Sequence, residues 1–367
     1  MAAFIGRKDV PFEAAILRMR ELLGSARMPL VAGLGADVAG MRAALRVAAR
    51  LGGALDFCRA PGATSLLRPM IDKGLMFTTP REARSRADVL MLVGPAMGRA
   101  EAIAGILEGQ PGLSAGESAR RDILWLCPNG ASDALSRFDM LVADADFGAI
   151  HGILAMLNAA LRSRPVSADG FGGLSGQDYE EIAGRLMTAR FGVIAFSPED
   201  LDPLAIEALS AFADKLGEAT RVTLLPLVNH GGAQTAAMVS TWTTGFPPRL
   251  GFARGFPEFD FWRYDAERLC RSGEADMLLW LSPFEAKAPD WKADMPVIAL
   301  TRPGASFARA PEILIETEIS AAGDPTELFS ARHQILQPVE AKAEAPGAPP
   351  PAAILEQLLT HLEAWAA

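Results

Sequence analysis

Nine short apolar runs, each rich in Val, Ile and Leu, recur along the chain with helical patterns between them. A strand that is apolar at every position is buried on both faces, as in parallel sheets that helices cover. The predicted strands are 29–34, 87–94, 122–128, 140–144, 191–197, 222–228, 276–282, 296–301 and 312–317. Nine strands are more than one mononucleotide-binding unit contains, so the pattern predicts an α/β fold with more than one domain.

The composition limits the classes of partner. At 367 residues the chain is long enough for two domains, and its formal net charge is −9. A nucleic-acid partner is disfavoured, because binding phosphates needs a clustered Lys/Arg face. The most apolar stretch, 148–161, contains a His and an Asn and is shorter than the roughly 20 residues of a membrane span. We expect neither a nucleic-acid nor a membrane partner, and we interpret 148–161 as a buried helix.

The cysteines limit the metal chemistry and indicate a compartment. Cys58, Cys127 and Cys270 lie far apart without Cys-x-x-Cys spacing, so this chain alone builds neither an iron–sulfur cradle nor a four-thiolate zinc site. An odd, sparse count of cysteines fits a reducing cytoplasm. The first residues include a Lys, an Asp and a Pro before any apolar run of signal-peptide length, which also favours a cytoplasmic location.

Segments of biased composition predict breaks in the chain. Residues 163–177 are rich in Gly and Ser, as is typical of a crossing between domains. Residues 338–353 are rich in Pro, Ala and Glu, which predicts an extended linker. The last segment, 354–367, has helical spacing, so we expect a C-terminal helix that docks on this chain or on a partner. Its apolar stripe consists of Ile354, Leu358, Leu362 and Trp365.

The stretch GLGADVAG, from 33 to 40, follows a predicted strand and opens a predicted helix. Glycines in this context let a backbone approach a pyrophosphate at a helix N-terminus. Val38 stands where the dinucleotide fingerprint has Gly or Ala, whereas Asp56 lies at about the distance of the ribose partner. Two interpretations stay open: a tight strand-to-helix turn, or a nucleotide site that uses Gly33 and Gly35.

Signatures of catalysis are missing from the sequence. The histidines His151, His230, His333 and His361 do not show the i, i+4 spacing with a Glu that a helix-borne zinc hydrolase uses. No Ser lies in a G-x-S-x-G elbow, so a serine hydrolase has no visible nucleophile. We therefore predict no catalytic residue and no metal site made by this chain alone.

The segment 229–259 begins where a predicted strand ends, which is the side on which open α/β sheets bind ligands. Gly231 and Gly232 permit close backbone approach, and Arg249 and Arg254 offer planar donors to a phosphate or carboxylate, such as that of an anionic carrier. Aromatic residues in and just after the segment suit a protein interface as well as a ligand pocket. They are Trp242, Phe246, Phe252, Phe256, Phe259, Phe261 and Trp262.

Three stretches occur in a serial order that matches a known superfamily. Residues 66–95 contain a short helix, a Gly and an RAD-apolar-strand-Gly run, 229–259 a strand end and a Gly-rich loop, and 273–285 the next strand. This order resembles that of the molybdopterin-dependent oxidoreductases. It is most similar to the B subunit of formylmethanofuran dehydrogenase and to its counterpart in methylotrophic bacteria, the beta subunit of formyltransferase/hydrolase complexes. The resemblance covers about 29–317.

The resemblance implies two Rossmann-like parallel-sheet domains of the molybdopterin-oxidoreductase type. An inserted α/β domain would span 57–164, while 1–56 and 165–337 would together form a discontinuous α/β domain. The segment after the strand at 222–228 would derive from a pterin site. The vestigial residues of that site would be Asn229, His230, Gly231, Gly232, Arg254 and Gly255.

The departures from the metal enzyme concern its redox parts. Residues 1–28 contain no cysteine to hold the iron–sulfur cluster of the family. The metal-ligating position of the family falls near Gly62, and the nearest thiol, Cys58, is about one helical turn out of register. The segment after Thr317 has no room for the domain that clamps the pterin. Without these parts, two-electron chemistry at a metal has neither an electron path nor a ligand, so we expect no cofactor on this chain.

The resemblance implies a non-redox structural subunit of a cytoplasmic formyltransferase/hydrolase complex in one-carbon metabolism. Its partners would be an amidohydrolase-like metal-dependent subunit, a formyltransferase subunit and a further structural subunit. They would move a formyl group from formyl-tetrahydromethanopterin to a methanofuran-like carrier and release it as formate. The alternative is a molybdopterin- or tungstopterin-dependent oxidoreductase subunit that binds a metal-pterin through Cys58.

Overall fold

The computed structural model describes residues 2–57, 61–112, 120–162, 164, 168–228, 231–283, 295–318, 326–339 and 348–365. The predicted α/β fold is confirmed, and each of the nine predicted runs is a strand. The strands are β1 (Ala3–Ile5), β2 (Lys8–Asp9), β3 (Pro29–Ala32), β4 (Ala54–Asp56), β5 (Val89–Val93), β6 (Asp122–Leu126), β7 (Leu141–Ala143), β8 (Gly192–Phe196), β9 (Val222–Pro226), β10 (Leu250–Gly251), β11 (Glu258–Phe259), β12 (Met277–Ser282), β13 (Val297–Thr301), β14 (Ile313–Glu316), β15 (Thr326–Ser330) and β16 (Ile335–Val339). The apolar runs did not predict β1, β2, β4, β10, β11, β15 and β16.

Helices fill the intervals between the strands. In the described parts of the chain they are α1 (Phe12–Ser25), α2 (Val38–Leu51), α3 (Pro61–Lys73), α4 (Pro80–Arg86), α5 (Glu101–Leu107), α6 (Ile150–Leu161), α7 (Gly176–Met187), α8 (Pro203–Gly217), α9 (Gly231–Thr244), α10 (Ala266–Ser272) and α11 (Pro351–Trp365). The predicted buried helix at 148–161 is α6, whose Ile150, Ile153, Leu154 and Leu157 are buried. Among these helices, none is long and apolar enough to cross a membrane.

The chain forms two compact units. The first unit comprises Met1–Ala60, His230–Phe329 and Leu336–Ala367, and the second unit comprises Pro61–Asn229 and Ser330–Ile335. The sequence placed the second crossing between domains at 163–177, but the structure places it after β9. The reason is that β8 and β9 belong to the same sheet as β5, so the segment 168–228 stays in the second unit.

The first unit is built on a nine-stranded sheet in the order β11-β10-β4-β3-β12-β13-β14-β1-β2. Its centre is parallel, because β12 pairs in parallel with β3 and β13, and β3 pairs in parallel with β4. The edges are antiparallel: β10 pairs with β4 at one side and β1 pairs with β14 at the other. The central strands are buried along nearly their whole length, as the continuous apolar runs predict.

The C-terminal helix of the first unit, α11, packs on α2 and α1 of the same unit. This answers where the predicted C-terminal helix docks: Ile354, Leu355, Leu358, Leu359 and Leu362 are buried. The helix begins at Pro351, three residues before the predicted start, and β16 extends to Val339 at the other end of the predicted linker. Residues 340–347, the middle of that linker, lie outside the described residues.

Polar contacts fix the position of α11 as well. The Arg46 guanidinium lies 2.6 Å from the carboxylate of Glu356, and Arg50 donates a hydrogen bond to the carbonyl of Leu362 at 3.0 Å. At the last turn, His361 Nε2 lies 3.0 Å from a carboxylate oxygen of Glu13 on α1. The arginines of α2 thus hold the helix from one side, and α1 holds it from the other.

The second unit is built on a five-stranded sheet, with the order β7-β6-β5-β8-β9, in which all pairings are parallel. Helices α6, α7 and α8 pack around a core that includes Tyr179, Phe196 and Phe212. The other face is covered by α4 and α5 around Trp125, whose indole nitrogen donates to the carbonyl of Gly94 at 3.0 Å. A doubly covered parallel sheet is the arrangement that the apolar strands require.

A buried arginine, Arg121, ties the C-terminal ends of α4 and α5 together beside the sheet. It donates hydrogen bonds to the carbonyls of Ala87 at 2.7 Å, Arg84 at 2.7 Å and Ala83 at 3.1 Å, and also to the carbonyl of Ile106. Burial, together with the neighbouring charge of Arg84, lowers the pKa of Arg121 to about 10. Carbonyls at helix C-termini otherwise lack partners, so this side chain closes two helix ends at once.

Replacing Arg121 by leucine should destabilise the protein. The variant leaves four backbone carbonyls without their donor, so we expect a loss of about 3 kcal/mol in the free energy of unfolding, measured by urea denaturation. The matched control is Arg120→Leu, because Arg120 is exposed and pairs with the exposed Asp139. This control should change the free energy of unfolding by less than about 1 kcal/mol. Equal losses in the two variants would contradict the role given to Arg121.

Candidate functional site

The segment predicted as a Gly-rich loop, 229–259, is largely ordered secondary structure in the first unit. Gly231 and Gly232 are the first residues of α9, and after a short turn the chain enters the hairpin of β10 and β11. The loop prediction is therefore wrong for 231–244, which form a helix despite the two glycines at its start. Asn229 and His230 lie outside the described residues.

The base of this hairpin is anchored by the largely buried side chain of Arg249. The Arg249 guanidinium lies 2.6 Å from a carboxylate oxygen of Asp265, and its Nε lies 3.6 Å from Asp56. It also donates a hydrogen bond to the carbonyl of Phe261 at 2.5 Å. The Arg249 backbone has a positive φ of 83°, a conformation that costs a non-glycine residue about 1–3 kcal/mol and persists only where its surroundings hold it. The three partners supply that hold.

The carboxylate of Asp56 sits at the end of β4 and is almost completely buried. One of its oxygens accepts a hydrogen bond from the amide of Phe57, and the other accepts one from the amide of Ala266, both at 2.8 Å. Burial raises the pKa of Asp56 to about 6, against the lowering effects of Arg249 and of the two amides. The site therefore contains a buried acid whose charge depends on the cation beside it.

The two candidate arginines of the segment differ in exposure and in their partners. Arg249 is committed to Asp56, Asp265 and Phe261, so its guanidinium is occupied inside the fold. Arg254 lies in the hairpin turn beside Gly255, which has a φ of 84°, and its side chain is 67% exposed. Its guanidinium lies 3.2 Å from the carboxylate of Glu258. Only Arg254 is thus presented to a partner.

Glycine is required at one position of the hairpin, Gly251. A Cβ there would lie 2.2 Å from the ring of Tyr264, so the ring packs directly on the backbone of β10. The Tyr264 hydroxyl donates to the carboxylate of Glu258 on β11 at 3.1 Å. Tyr264 and Glu258 therefore clamp the two strands of the hairpin, while Arg249 holds its base.

The aromatic residues of this region divide into two groups. Phe252 is buried, and Phe259 stacks on Phe246 with ring centroids 6.0 Å apart and meets Phe261 edge-on at 4.8 Å. The other group is exposed, and we call it the exposed aromatic set. It consists of Trp242 (53% exposed), Phe246 (40%), Phe256 (53%) and Trp262 (72%).

Exposure of four large aromatic side chains on one short part of the chain is unusual for a surface that meets only water. Trp262 is held in place from one side, because the Arg268 guanidinium lies 4.4 Å from its ring centroid. Glu274 in turn contacts Arg268, with a guanidinium nitrogen 3.0 Å from its Oε2. A pre-ordered, exposed tryptophan with an arginine beside it is typical of the centre of a protein interface. Of the two interpretations of this segment, the geometry favours the interface.

The carboxylate at the glycine-rich turn before α2 disfavours the binding of a pyrophosphate there. The carboxylate of Asp37 caps the helix by accepting the amide of Gly40 at 2.7 Å, and the hydroxyl of Thr326 donates to the same carboxylate. An anion at this N-terminus would meet a buried negative charge instead of free amides. Electrostatics therefore favours the tight-turn interpretation of GLGADVAG.

The space above the same turn is also filled. Gly33 has a φ of 86°, and a Cβ there would lie 2.6 Å from the carbonyl of Leu281 and 2.8 Å from the ring of Trp280. Asp56, the candidate ribose partner, is held by its two backbone amides and by Arg249. Gly33 thus serves close packing against β12, not the approach of a cofactor.

The thiols in the described residues are poor metal ligands. Burial raises the pKa of Cys127 to about 12, and it does the same for Cys270, with nearby aspartates adding to both shifts. Both side chains stay protonated at neutral pH, whereas metals bind the thiolate. No group of three or more His, Cys, Asp and Glu side chains suited to a metal occurs within the described ranges. Cys58 lies outside them.

Sequence reasoning missed the buried ion cluster, although signals for it exist. Asp56 ends a short strand, β4, which no apolar run reveals, and Asp265 caps α10 by accepting the amide of Arg268 at 2.8 Å. The N-cap position of Asp265 is readable from sequence, but its approach to Arg249 is not. From the sequence, Arg249 is expected to be a donor to a ligand, because no local pattern distinguishes a buried arginine from an exposed one.

Replacing Arg249 by methionine should destabilise the first unit in a pH-dependent way. Without the cation, the buried Asp56 carboxylate has no counter-charge, so we expect a loss of about 3–5 kcal/mol at pH 8 in the free energy of unfolding. The folded-state pKa of Asp56 already exceeds its ordinary value and should rise further. The folded protein then binds more protons than the unfolded one, so the loss should shrink as the pH falls from 8 to 5.

The control for this experiment is Arg254→Met, which removes an exposed arginine from the same hairpin. It should change the free energy of unfolding by less than about 1 kcal/mol at either pH. A loss for Arg249→Met that is the same at both pH values would contradict the dependence on Asp56.

Comparison with known proteins places the chain in a family. No protein-family profile matches it. It is 33% identical over 348 residues to the B subunit of the formyltransferase/hydrolase complex of Methylorubrum extorquens, a match that covers 94% of this chain and 92% of that protein. A chain in the crystal structure of that organism's formyltransferase/hydrolase complex with methylofuran has a TM-score of 0.87 and 31% identity, with coverage of 100% and 99% of the two chains.

A more distant relative is a subunit of an enzyme that contains tungsten. The B subunit of the tungsten-containing formylmethanofuran dehydrogenase 2 of Methanocaldococcus jannaschii is 22% identical over 310 residues, which are 80% of this chain and 70% of that protein. These similarities confirm the resemblance that the order of the sequence stretches indicated. The chain belongs to the B-subunit family of formyltransferase/hydrolase complexes, which is related to the B subunit of formylmethanofuran dehydrogenase.

Proposed function

We propose that this chain is a non-redox structural subunit of a formyltransferase/hydrolase complex in one-carbon metabolism. The observation that carries the proposal is its correspondence, over essentially the whole length of both chains, with a subunit of the crystallised complex. Because the two chains share their fold over essentially their whole length, each surface of that subunit has a counterpart in position on this chain. Its proposed role is to hold the assembly.

The surface of the first unit supports this role. In the exposed aromatic set, Trp242 and Phe246 lie at the end of α9 and just after it, Phe256 lies in the turn of the hairpin, and Trp262 follows β11. Contacts of Arg249, Tyr264 and Glu258 hold the hairpin and the segment after it. Rigid aromatic side chains lose little conformational entropy on binding, so a fixed backbone makes them efficient contacts. We propose the exposed aromatic set as a contact with another subunit.

The proposed partners supply the reaction. A formyltransferase subunit would move the formyl group from formyl-tetrahydromethanopterin to a methanofuran-like carrier, and an amidohydrolase-like metal-dependent subunit would release formate. A further structural subunit would complete the complex. The related crystal structure contains methylofuran, which supports a carrier of this class. A cytoplasmic location is part of the proposal, and the buried thiols of Cys127 and Cys270 suit a reducing compartment.

We further propose that the chain carries no cofactor. Of the candidate vestigial pterin residues, Gly231 and Gly232 begin a helix and Arg254 is paired with Glu258 on an exposed hairpin. The two described thiols are buried and protonated. The rival proposal, an oxidoreductase subunit that binds a metal-pterin through Cys58, draws its support from the similarity to a tungsten enzyme.

The test is to purify the tagged chain from its native host and to record native mass spectra of the proteins that accompany it. We expect assemblies that contain the chain at its bare polypeptide mass. In the variant Phe256→Ser/Trp262→Ser, the yield of accompanying subunits should fall at least about tenfold, because truncating buried aromatic contacts costs about 2 kcal/mol or more each. The thermal unfolding midpoint of the variant chain should stay near that of the wild type, because both rings are exposed.

The matched control is Met76→Ser/Leu204→Ser, which removes two exposed apolar side chains from the second unit. It should keep the wild-type yield of accompanying subunits. A wild-type chain that purifies alone in the presence of its partners would contradict the structural role. A mass excess that fits a metal-pterin, lost in Cys58→Ala, would favour the oxidoreductase instead.

A further inference from the structure

A groove of about 980 Å³ lies along α4 and α5 in the second unit. Its lining includes three arginines, two from α4 and one from the turn that joins β15 to β16. We call it the arginine groove and define it by Arg81, Arg84 and Arg332. All three side chains are exposed, and no ion pair to any of them occurs within the described parts of the chain. They are free to meet an incoming anion.

The position of Arg84 is built into the fold. Arg81 and Arg84 are three residues apart on α4, so they lie on one face of the helix. A Cβ at Gly109 would lie 2.2 Å from Cγ of Arg84 and 2.7 Å from its carbonyl oxygen. The arginine stem therefore lies across the bare backbone just after α5, where any side chain would displace it. This packing reduces the freedom that Arg84 would lose on binding.

The charges around the groove leave an excess of positive charge. Glu101 and Glu108 also line it, but Glu108 lies 2.7 Å from the guanidinium of Arg137. Arg121, buried next to Arg84, directs its hydrogen bonds to backbone carbonyls and brings a further positive charge. The chain as a whole has a net charge of −9, whereas the groove in the second unit has a local excess of positive charge.

The lining favours a polypeptide over a compact polyanion. Glu101 and Glu108 would repel a ligand that carries charge on every unit, such as a nucleic acid or polyphosphate. Ile335, 49% exposed, and Gln110 add an apolar contact and an amide that can bond a peptide backbone. Guanidinium groups bind carboxylates in a bidentate fashion, and arginine is enriched in protein interfaces.

We propose that the arginine groove binds an acidic polypeptide segment of another subunit. This inference rests on the proposed function, since it names the chemistry of one partner in the complex. It assigns a second contact, in the second unit, that is independent of the exposed aromatic set of the first unit. The carboxylates of the segment would meet Arg81, Arg84 and Arg332, and an apolar residue of it would meet Ile335.

The first experiment measures binding of a short fluorescein-labelled peptide, Asp-Leu-Glu-Glu-Ile-Asp, to the full chain by fluorescence anisotropy at low ionic strength. The acidic peptide should bind, and its amide analogue, with Asn and Gln in place of Asp and Glu, should not. The variant Arg81→Glu/Arg332→Glu should weaken binding at least about tenfold, because each reversed charge replaces an attraction by a repulsion. Arg84 is left intact because its stem packs on Gly109.

The matched control is Arg18→Glu/Arg42→Glu, which makes the same change in net charge on exposed helix positions of the first unit. It should bind the peptide as the wild type does, and both double variants should keep the wild-type thermal unfolding midpoint. Equal binding by the groove variant and the wild type would overturn the proposal. So would displacement of the labelled peptide by inorganic phosphate at the same concentration as by unlabelled peptide.

The second experiment compares the accompanying subunits of the tagged chain in the native host. Loss of at least one subunit from Arg81→Glu/Arg332→Glu, with full retention by Arg18→Glu/Arg42→Glu, supports the groove as a subunit contact. If the groove variant forms the same assemblies as the wild type, this result would overturn the groove contact alone. A wild-type chain without any accompanying subunit would instead contradict the proposed function, so the two failures are distinguishable.

Discussion

The first unit depends on the burial of one carboxylate, that of Asp56 at the end of β4. A buried charge is costly unless a counter-charge and hydrogen bonds accompany it, and here two backbone amides and Arg249 do so. Arg249, whose backbone has a positive φ, lies beside Asp56, and its other donors meet Asp265 and the carbonyl of Phe261. The path of the chain through β10, β11 and the start of α10 is thereby fixed.

Two members of the exposed aromatic set lie on this anchored part of the chain. The hairpin is held at its base by Arg249 and along its strands by Tyr264 and Glu258, and Phe256 at its turn and Trp262 just after it are exposed. In the second unit, Arg121 has a comparable role. It donates hydrogen bonds to backbone carbonyls at helix ends, whereas Arg249 pairs with carboxylates. In each unit a buried arginine connects segments that are distant in sequence and leaves a defined surface beside it.

The chain is related in sequence to the B subunit of a tungsten enzyme, and its own described residues show how the turn before α2 is filled. Where a nucleotide would need free amides and open space, the chain has the Asp37 cap and the ring of Trp280 against Gly33. The described thiols are buried instead of facing a cavity. These are the physical grounds for the proposed structural role, in which surfaces and not a reaction centre carry the function.

The sequence by itself determined the class of fold and the family. Nine apolar runs specify strands buried on both faces, and the serial order of three stretches indicated the relatives that the comparisons then identified. The C-terminal helix was also readable, because its apolar stripe needs a covering surface. These features depend on neighbouring residues, whose periodicity a sequence displays directly.

Only the tertiary structure decided which sheet each strand joins and which charges meet. Strand β8 pairs in register with β5 across a long intervening segment, which moved the crossing between units from the predicted position near 164 to the end of β9. Asp56 lies far from Arg249 in the chain, and the α4 carbonyls lie far from Arg121. Such contacts are set by packing between remote segments, and no local pattern encodes them.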